Sequence, residues 1–259
     1  MGVMTRLLLL LWVGVTASTV VDLQKRIIGG RNCTQTERLY HVEVRQYLAF
    51  PGTRFAMCGG SLIGDRWILT AGHCWNSSRI MRAVLGIHPG GQGTEVDIHR
   101  HHIYTDNQSR PHDILLLELT NPTLIQPVRL PNCSNPLNIG DTVEVAGRGP
   151  MTMGHNNERE PGRALVLQCV NIMVIDDQLL RNCLERTSPM LYQNWKSYQS
   201  PRVDTSPGDS GGGVVFNGMI YGVHVFGTNV THACVATNGF MDVCEYMDWI
   251  VTTTGIPRP

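Results

Sequence analysis

No stretch of this 259-residue chain is long and apolar enough to cross a bilayer, which takes roughly 20 residues. The most apolar run, Leu7 to Val15, is nine residues long, follows Arg6 and ends in the small residues Val15-Thr16-Ala17. That layout predicts a secretory signal peptide over residues 1–17 rather than a membrane anchor, and a secreted product. Excess charge is also missing. The 21 Lys and Arg balance 21 Asp and Glu, leaving no basic field for nucleic acid, no polybasic arm and no acidic tail. None of the eight cysteines forms a C-x-x-C, and they are scattered from Cys33 to Cys244, so zinc is a poor reading. In a secretory chain they imply disulfides, and counting alone allows roughly 100 pairings. With no repeat, low-complexity tract or linker, nothing marks a second independent domain.

What is present reads as short strands separated by turn residues. His41-Val42-Glu43-Val44, Glu95-Val96-Asp97-Ile98 and Thr142-Val143-Glu144-Val145 alternate as half-buried strands do. Ile114 to Leu119 and Ala164 to Val174 are more continuously apolar, as strands buried on both faces would be. Gly213 to Phe226 reads as a hairpin turning at Asn217-Gly218. A helix closes the chain, with Val243, Met247, Ile250 and Val251 at helical spacing, Asp242 as cap and Gly255 and Pro257 as stops. A shorter helix is expected over Asp176 to Arg186. Many short strands with Gly, Pro and Asn punctuation favour a barrel or sandwich over βαβ units. Of five N-x-S/T triplets, Asn32 and Asn132 precede cysteines, whose bridges disfavour a glycan; Asn76, Asn107 and Asn229 are better placed. On a strand, His99 and His101 would share one face and His102 the other, so only two of the three histidines converge and no metal site is expected.

Three motifs carry chemistry: Thr70-Ala71-Gly72-His73-Cys74, Asp113-Ile114-Leu115-Leu116-Leu117 and Gly208-Asp209-Ser210-Gly211-Gly212. A serine hydroxyl is a poor nucleophile until an imidazole takes its proton, and that imidazole needs a carboxylate to fix its tautomer. Glycines around Ser210 let backbone N–H groups approach a developing oxyanion, each such donor being worth about 3 kcal/mol. The G-x-S-x-G pattern also suits an α/β-hydrolase elbow, which needs an acid and then a histidine downstream. No Asp or Glu lies between Ser210 and His232, the last histidine, so that order is excluded.

These motifs, in this order, resemble those of the trypsin/chymotrypsin family from about Ile27 to Ile250. The resemblance implies an all-β fold of two six-stranded Greek-key β-barrels with a C-terminal α-helix and the active site between the barrels. It makes His73 the general base, Asp113 its orienter, Ser210 the nucleophile, and Gly208 and Ser210 the oxyanion donors. Arg26-Ile27-Ile28-Gly29-Gly30 is similar to the family's activation site. Cleavage after Arg26 would release residues 18–26 as an activation peptide and free the Ile27 amine to pair with Asp209, leaving 27–259 as the protease domain.

By the same resemblance Asp204 lies at the base of the primary specificity pocket and selects Arg or Lys. Gly227 keeps one pocket wall open, and Asn238 or Gly239 takes the second glycine position. An inward-pointing Asn238 would shorten the pocket. The implied bridges are Cys33–Cys169, Cys58–Cys74 and Cys133–Cys244, with the leftover Cys183 and Cys234 paired to each other. Several positions depart from the family pattern: Val225 replaces a serine that contacts the buried aspartate, Phe226 and Arg148 replace tryptophans, and Gly213 replaces a proline. Ser206 stands where a cysteine is expected, Pro207 precedes the oxyanion glycine, and Val143 and Phe216 occupy both ends of a missing bridge. Ile87 and Pro89 leave no calcium site.

The expected protein is thus a secreted serine endopeptidase, made as a zymogen, that cleaves after Arg or Lys through an acyl-enzyme without cofactor or metal. Its pocket looks less like a digestive trypsin than like granule, kallikrein-like or complement-type proteases. Its partners would be protein or peptide substrates, an activating protease and protein protease inhibitors, with no nucleic acid or membrane. The rival reading is a weakly active or inactive homologue that binds a partner through the same fold.

Overall fold

A computed structural model describes residues 27–48, 54–149, 154–160, 162–187, 190–227, 229, 231–233 and 235–259. The expected signal and activation peptides, Arg26 and Cys234 with its proposed partnership all lie outside the described residues. The described chain enters through the short strand β1 (Arg31–Asn32). Six strands then close a first antiparallel barrel: β2 (His41–Tyr47), β3 (Arg54–Leu62), β4 (Trp67–Thr70), β5 (Ile80–Leu85), β6 (Thr94–Thr105) and β7 (Pro111–Leu119), in the order β2-β3-β4-β7-β6-β5. The second barrel is built from β8 (Thr142–Gly147), β9 (Gln168–Ile175), β10 (Trp195–Tyr198), β11 (Gly213–Phe216), β12 (Met219–Gly227) and β13 (Asn238–Asp242). Its order is β9-β10-β13-β12-β11-β8, and pairing of β8 with β9 closes the ring. β1 adds to the edge of β9.

The barrels follow from where the apolar residues fall. Val42, Val44, Leu62, Ile68, Leu69, Leu115 and Leu117 fill the first, and Val143, Val145, Ile172, Tyr198, Val214 and Phe240 the second. Each such side chain contributes roughly 1.5–3 kcal/mol relative to exposure. Ile27 is fully buried in the second cluster, so the start of the described chain is folded inward.

Two expectations from alternation need correction. β2 is buried along nearly its whole length, because Glu43 turns inward rather than to solvent. Its carboxylate meets Arg148 at 3.0 Å, Arg45 at 2.8 Å and also Arg163. Burial would raise the Glu43 carboxyl, but Arg163, Arg45 and Arg148 outweigh it and hold the group below its ordinary value. The arginine found where the family has a tryptophan thus fastens the end of β8 to β2. The clean face assignment of the histidines also fails, because β6 carries a bulge between Ile98 and Arg100. His101 stacks on Trp75 at 4.1 Å, while His102 tilts against Trp67.

The strand expected over Ala164 to Val174 begins at Gln168, with Ala164 and Leu167 buried in the approach to it. The β11–β12 hairpin turns at Asn217 and Gly218, both with positive φ. Helix α1 (Gln178–Thr187) starts where the Asp176 carboxylate accepts the Gln178 N–H at 2.7 Å. Asp242 caps a 3-10 turn (Val243–Tyr246) that leads into helix α2 (Met247–Thr254). Disulfides join Cys33 to Cys169, Cys58 to Cys74 and Cys133 to Cys244. Each closes a loop that would otherwise be free in the unfolded chain, typically worth 2–4 kcal/mol.

Candidate active site

The first barrel supplies an imidazole and a carboxylate. His73 lies in a 3-10 turn after β4, and Asp113 sits in β7 among fully buried neighbours Ile114 to Leu117. His73 Nδ1 meets Asp113 Oδ2 at 2.9 Å and Oδ1 at 3.1 Å, and the His73 backbone N–H donates to Oδ1 at 2.8 Å. Among the described residues, every hydrogen bond that this carboxylate accepts comes from His73. Val225, at the position of the absent serine, is a buried hydrocarbon. Gln193 fixes the strand instead, its side-chain oxygen accepting the Asp113 N–H at 2.8 Å. Burial pulls the His73 imidazole down, but the Asp113 hydrogen bond and charge more than offset it, and the net shift is upward.

The second barrel supplies the serine. Ser210 lies just before β11, and its carbonyl accepts the Gly59 N–H of β3 at 2.7 Å, which docks it against the first barrel. Gly211 has φ +83, and a Cβ there would fall 2.1 Å from Thr70 Oγ1 and 2.3 Å from the Gly59 carbonyl oxygen. Only glycine fits that approach. His224 secures the loop from behind: its carbonyl accepts the Gly211 N–H and its N–H donates to Gly212 O. Burial depresses its imidazole to about 3, so the ring is neutral, and it pairs with the Tyr198 hydroxyl at 2.7 Å. The backbone N–H groups of Gly208 and Ser210 have no acceptor among the described residues. The Ser210 hydroxyl donates to the Val225 carbonyl at 3.0 Å. His73, Asp113 and Ser210 all line one cleft of about 390 Å³.

Below the serine, Asp209 is completely buried and accepts N–H bonds from Gly149 and Ser206, each at 2.7 Å. Asp204 is also buried rather than in solvent, next to Thr205 and Ser206, which line the cleft. Asn238 pairs directly with Gly227 across β12 and β13, whereas Gly239 pairs with Phe226. Asn238 points inward: its amide donates to Asp204 at 2.8 Å, and its oxygen accepts from the Thr205 hydroxyl at 2.7 Å. Arg159 also reaches Asp204, at 2.5 Å. Neither Arg159, Gln193 nor His224 stands in a motif, and no spacing signal in the chain singles them out.

Such a site can take a proton from a hydroxyl, attack a carbonyl and steady an oxyanion. A family model described as Trypsin matches residues 27–250. The chain is 27% identical to glandular kallikrein of Sus scrofa over 89% of this chain and 97% of that one, and 28% identical to kallikrein-8 of Mus musculus over 95% and 94%. Its fold is similar to the solved structure of neuropsin, a serine protease expressed in the limbic system of mouse brain. That alignment has a TM-score of 0.69 and 25% identity, covering 86% of this chain and 98% of the other.

Proposed function

Because the chain belongs to the trypsin family of serine endopeptidases, we propose that it is a secreted peptidase, made as a zymogen, that acts through an acyl-enzyme on Ser210. The observation that carries this reading is the His73–Asp113 pair facing the same cleft as Ser210. With substrate bound, the Ser210 hydroxyl turns from Val225 O to His73, which takes its proton as Oγ attacks the scissile carbonyl carbon. Gly208 and Ser210 N–H groups stabilise the oxyanion, and His73 returns the proton to the leaving amine. Water then repeats the sequence to release the acyl group. A preference for Arg or Lys before the scissile bond follows from Asp204 wherever its carboxylate is available to substrate. An activating protease and protein inhibitors would complete its set of partners, and the exposed Asn107 is the best-presented glycan acceptor.

The test is labelling of the activated protein with a fluorophosphonate. Modification at Ser210, abolished by prior heating, supports the enzyme; an unmodified Ser210 in folded, cleaved protein would assign the fold to a binding module.

Two pH effects follow. His73 must be neutral to act as base, and Asp113 raises its affinity for protons. The acid limb of kcat/KM should therefore titrate above the ordinary histidine value of about 6.5. A pH–rate profile with its acid limb below that value would contradict the arrangement.

Asp209 gives the second. Burial pushes its carboxyl from 3.8 up to about 6, against the pull of the Gly149 and Ser206 N–H groups and of Arg159. The folded form therefore binds this proton more tightly than the unfolded one. Its contribution is fully present below about 4 and is lost as pH rises through 6, a change of roughly 3 kcal/mol. Cleavage after Arg26 would set the Ile27 ammonium beside Asp209 and remove that loss. Thermal unfolding should show the single-chain form losing stability from pH 4 to 6.5 relative to the cleaved form. Parallel curves for the two forms would show that Ile27 does not pair with Asp209.

A further inference from the structure

The carboxylate expected to receive a substrate's basic side chain already holds a guanidinium. Arg159 Nη2 donates to Asp204 Oδ2 at 2.5 Å, and both side chains are buried. Three more of its five N–H groups are satisfied: two on Nη1 by the Thr205 carbonyl at 2.6 Å and Ser206 Oγ at 3.0 Å, and that on Nε by the Asn229 carbonyl at 3.3 Å. Thr205, Ser206 and Asn229 all line the cleft. A Cβ added at Gly227, on the pocket wall, would fall 3.8 Å from Arg159 Nη2 and 2.9 Å from Asn238 Oδ1. The guanidinium therefore sits inside the pocket, beside that wall, and Arg159 lines the cleft that contains Ser210.

Two departures from the family pattern and one backbone pairing converge on this arrangement. Ser206, in place of a cysteine, provides a hydroxyl acceptor for Arg159. Asn238, in place of a glycine, fills space beneath Gly227 and takes the second Asp204 oxygen with the Thr205 N–H. The Arg159 backbone is itself pinned to the pocket rim: its N–H donates to Thr231 O, Ala233 donates back to Asn157 O, and Glu158 bridges His232. An arginine on a freely moving loop would lose most of its occupancy to chain entropy; this one is delivered by a short antiparallel pairing.

We propose that Arg159 is an intramolecular occupant of the primary specificity pocket, standing where a substrate's Arg or Lys would lie and withholding Asp204 from it. The proposal rests on the endopeptidase reading and specifies its regulation. One buried carboxylate cannot neutralise two cations, so a basic side chain binds only as Arg159 leaves. An uncharged side chain too short to reach Asp204 does not compete for its charge and needs only the apolar lining of Val225, Phe226 and Pro207. If the pocket is open for only 1–10% of the time, apparent affinity for basic groups falls by about 10- to 100-fold.

The test measures p-aminobenzamidine, a planar cation, by its fluorescence on binding to activated protein carrying Ser210→Ala. Adding Arg159→Ala should tighten binding by about tenfold or more, and adding Asp204→Ser to that variant should remove the gain. With Ser210 intact, the ratio of kcat/KM for Arg over Leu before the scissile bond should rise by a similar factor, through KM rather than kcat. Arg159→Gln keeps N–H donors for Thr205 and Asn229 and serves if the alanine variant does not fold; it should shift binding in the same direction. Unchanged affinity in every folded Arg159 variant, or a gain that survives loss of Asp204, overturns the proposal. Phosphonate labelling reports on Ser210 alone, so failure of the enzyme reading is recognised separately.

Discussion

Activated protein carrying Ser210→Ala will lose roughly 10⁶-fold in kcat while still binding peptide, because the covalent route disappears and only the remaining polar groups assist water. The side chain contributes little to the fold: among the described residues its one hydrogen bond runs to Val225 O, and the loop is held by backbone contacts of Gly59, Gly211 and Gly212. Thermal stability should therefore stay near that of the parent while turnover collapses. Single-turnover assays with an ester substrate give the cleanest readout, since a burst of released alcohol reports acylation directly. A variant that keeps even one-hundredth of parental turnover would place the nucleophile elsewhere.

Asp113→Asn should lower kcat by roughly 10⁴-fold. The His73 Nδ1–H needs an acceptor, and the carboxylate offers one on each oxygen, 2.9 and 3.1 Å away. An amide held by the His73 N–H through its single oxygen turns its NH₂ toward Nδ1, and the ring responds by carrying its proton on Nε2. The nitrogen that should receive the serine proton is then blocked. Among the described residues no serine competes for the carboxylate, because Val225 is apolar, so His73 alone steers the new amide. The raised proton affinity of His73 should vanish as well, moving the acid limb of the pH profile downward. Loss of activity without that movement would mean that Asp113 acts through packing alone.

Much of the molecule was legible in the chain because its signals are local. The hairpin at Asn217-Gly218, the Asp242 cap and the apolar run after Asp113 are each set by neighbouring residues. The motifs of His73, Asp113 and Ser210 likewise state what surrounds each residue. Glu43 was misread because alternation describes one strand facing solvent, and it knows nothing of arginines 105 and 120 positions away. The bulge in β6 escaped for a related reason: one extra residue shifts faces without altering composition. Arg159 was invisible, since Asn-Glu-Arg-Glu reads as an ordinary charged loop until Asp204 is placed beside it. Asn238 was half visible: the chain offers it and Gly239 alike, and only the register shows that Asn238 is the one opposite Gly227.

The seam where Glu43 receives Arg148 and Ser210 receives Gly59 has a consequence for how this molecule tolerates change. In the proposed mechanism, proton acceptor and nucleophile ride on separate bodies, so reaction geometry is a property of their docking and of neither body alone. Rim loops can drift in length and charge without touching it. An alteration at the joint, far from any substrate, would be felt as a slower machine that still grips its cargo.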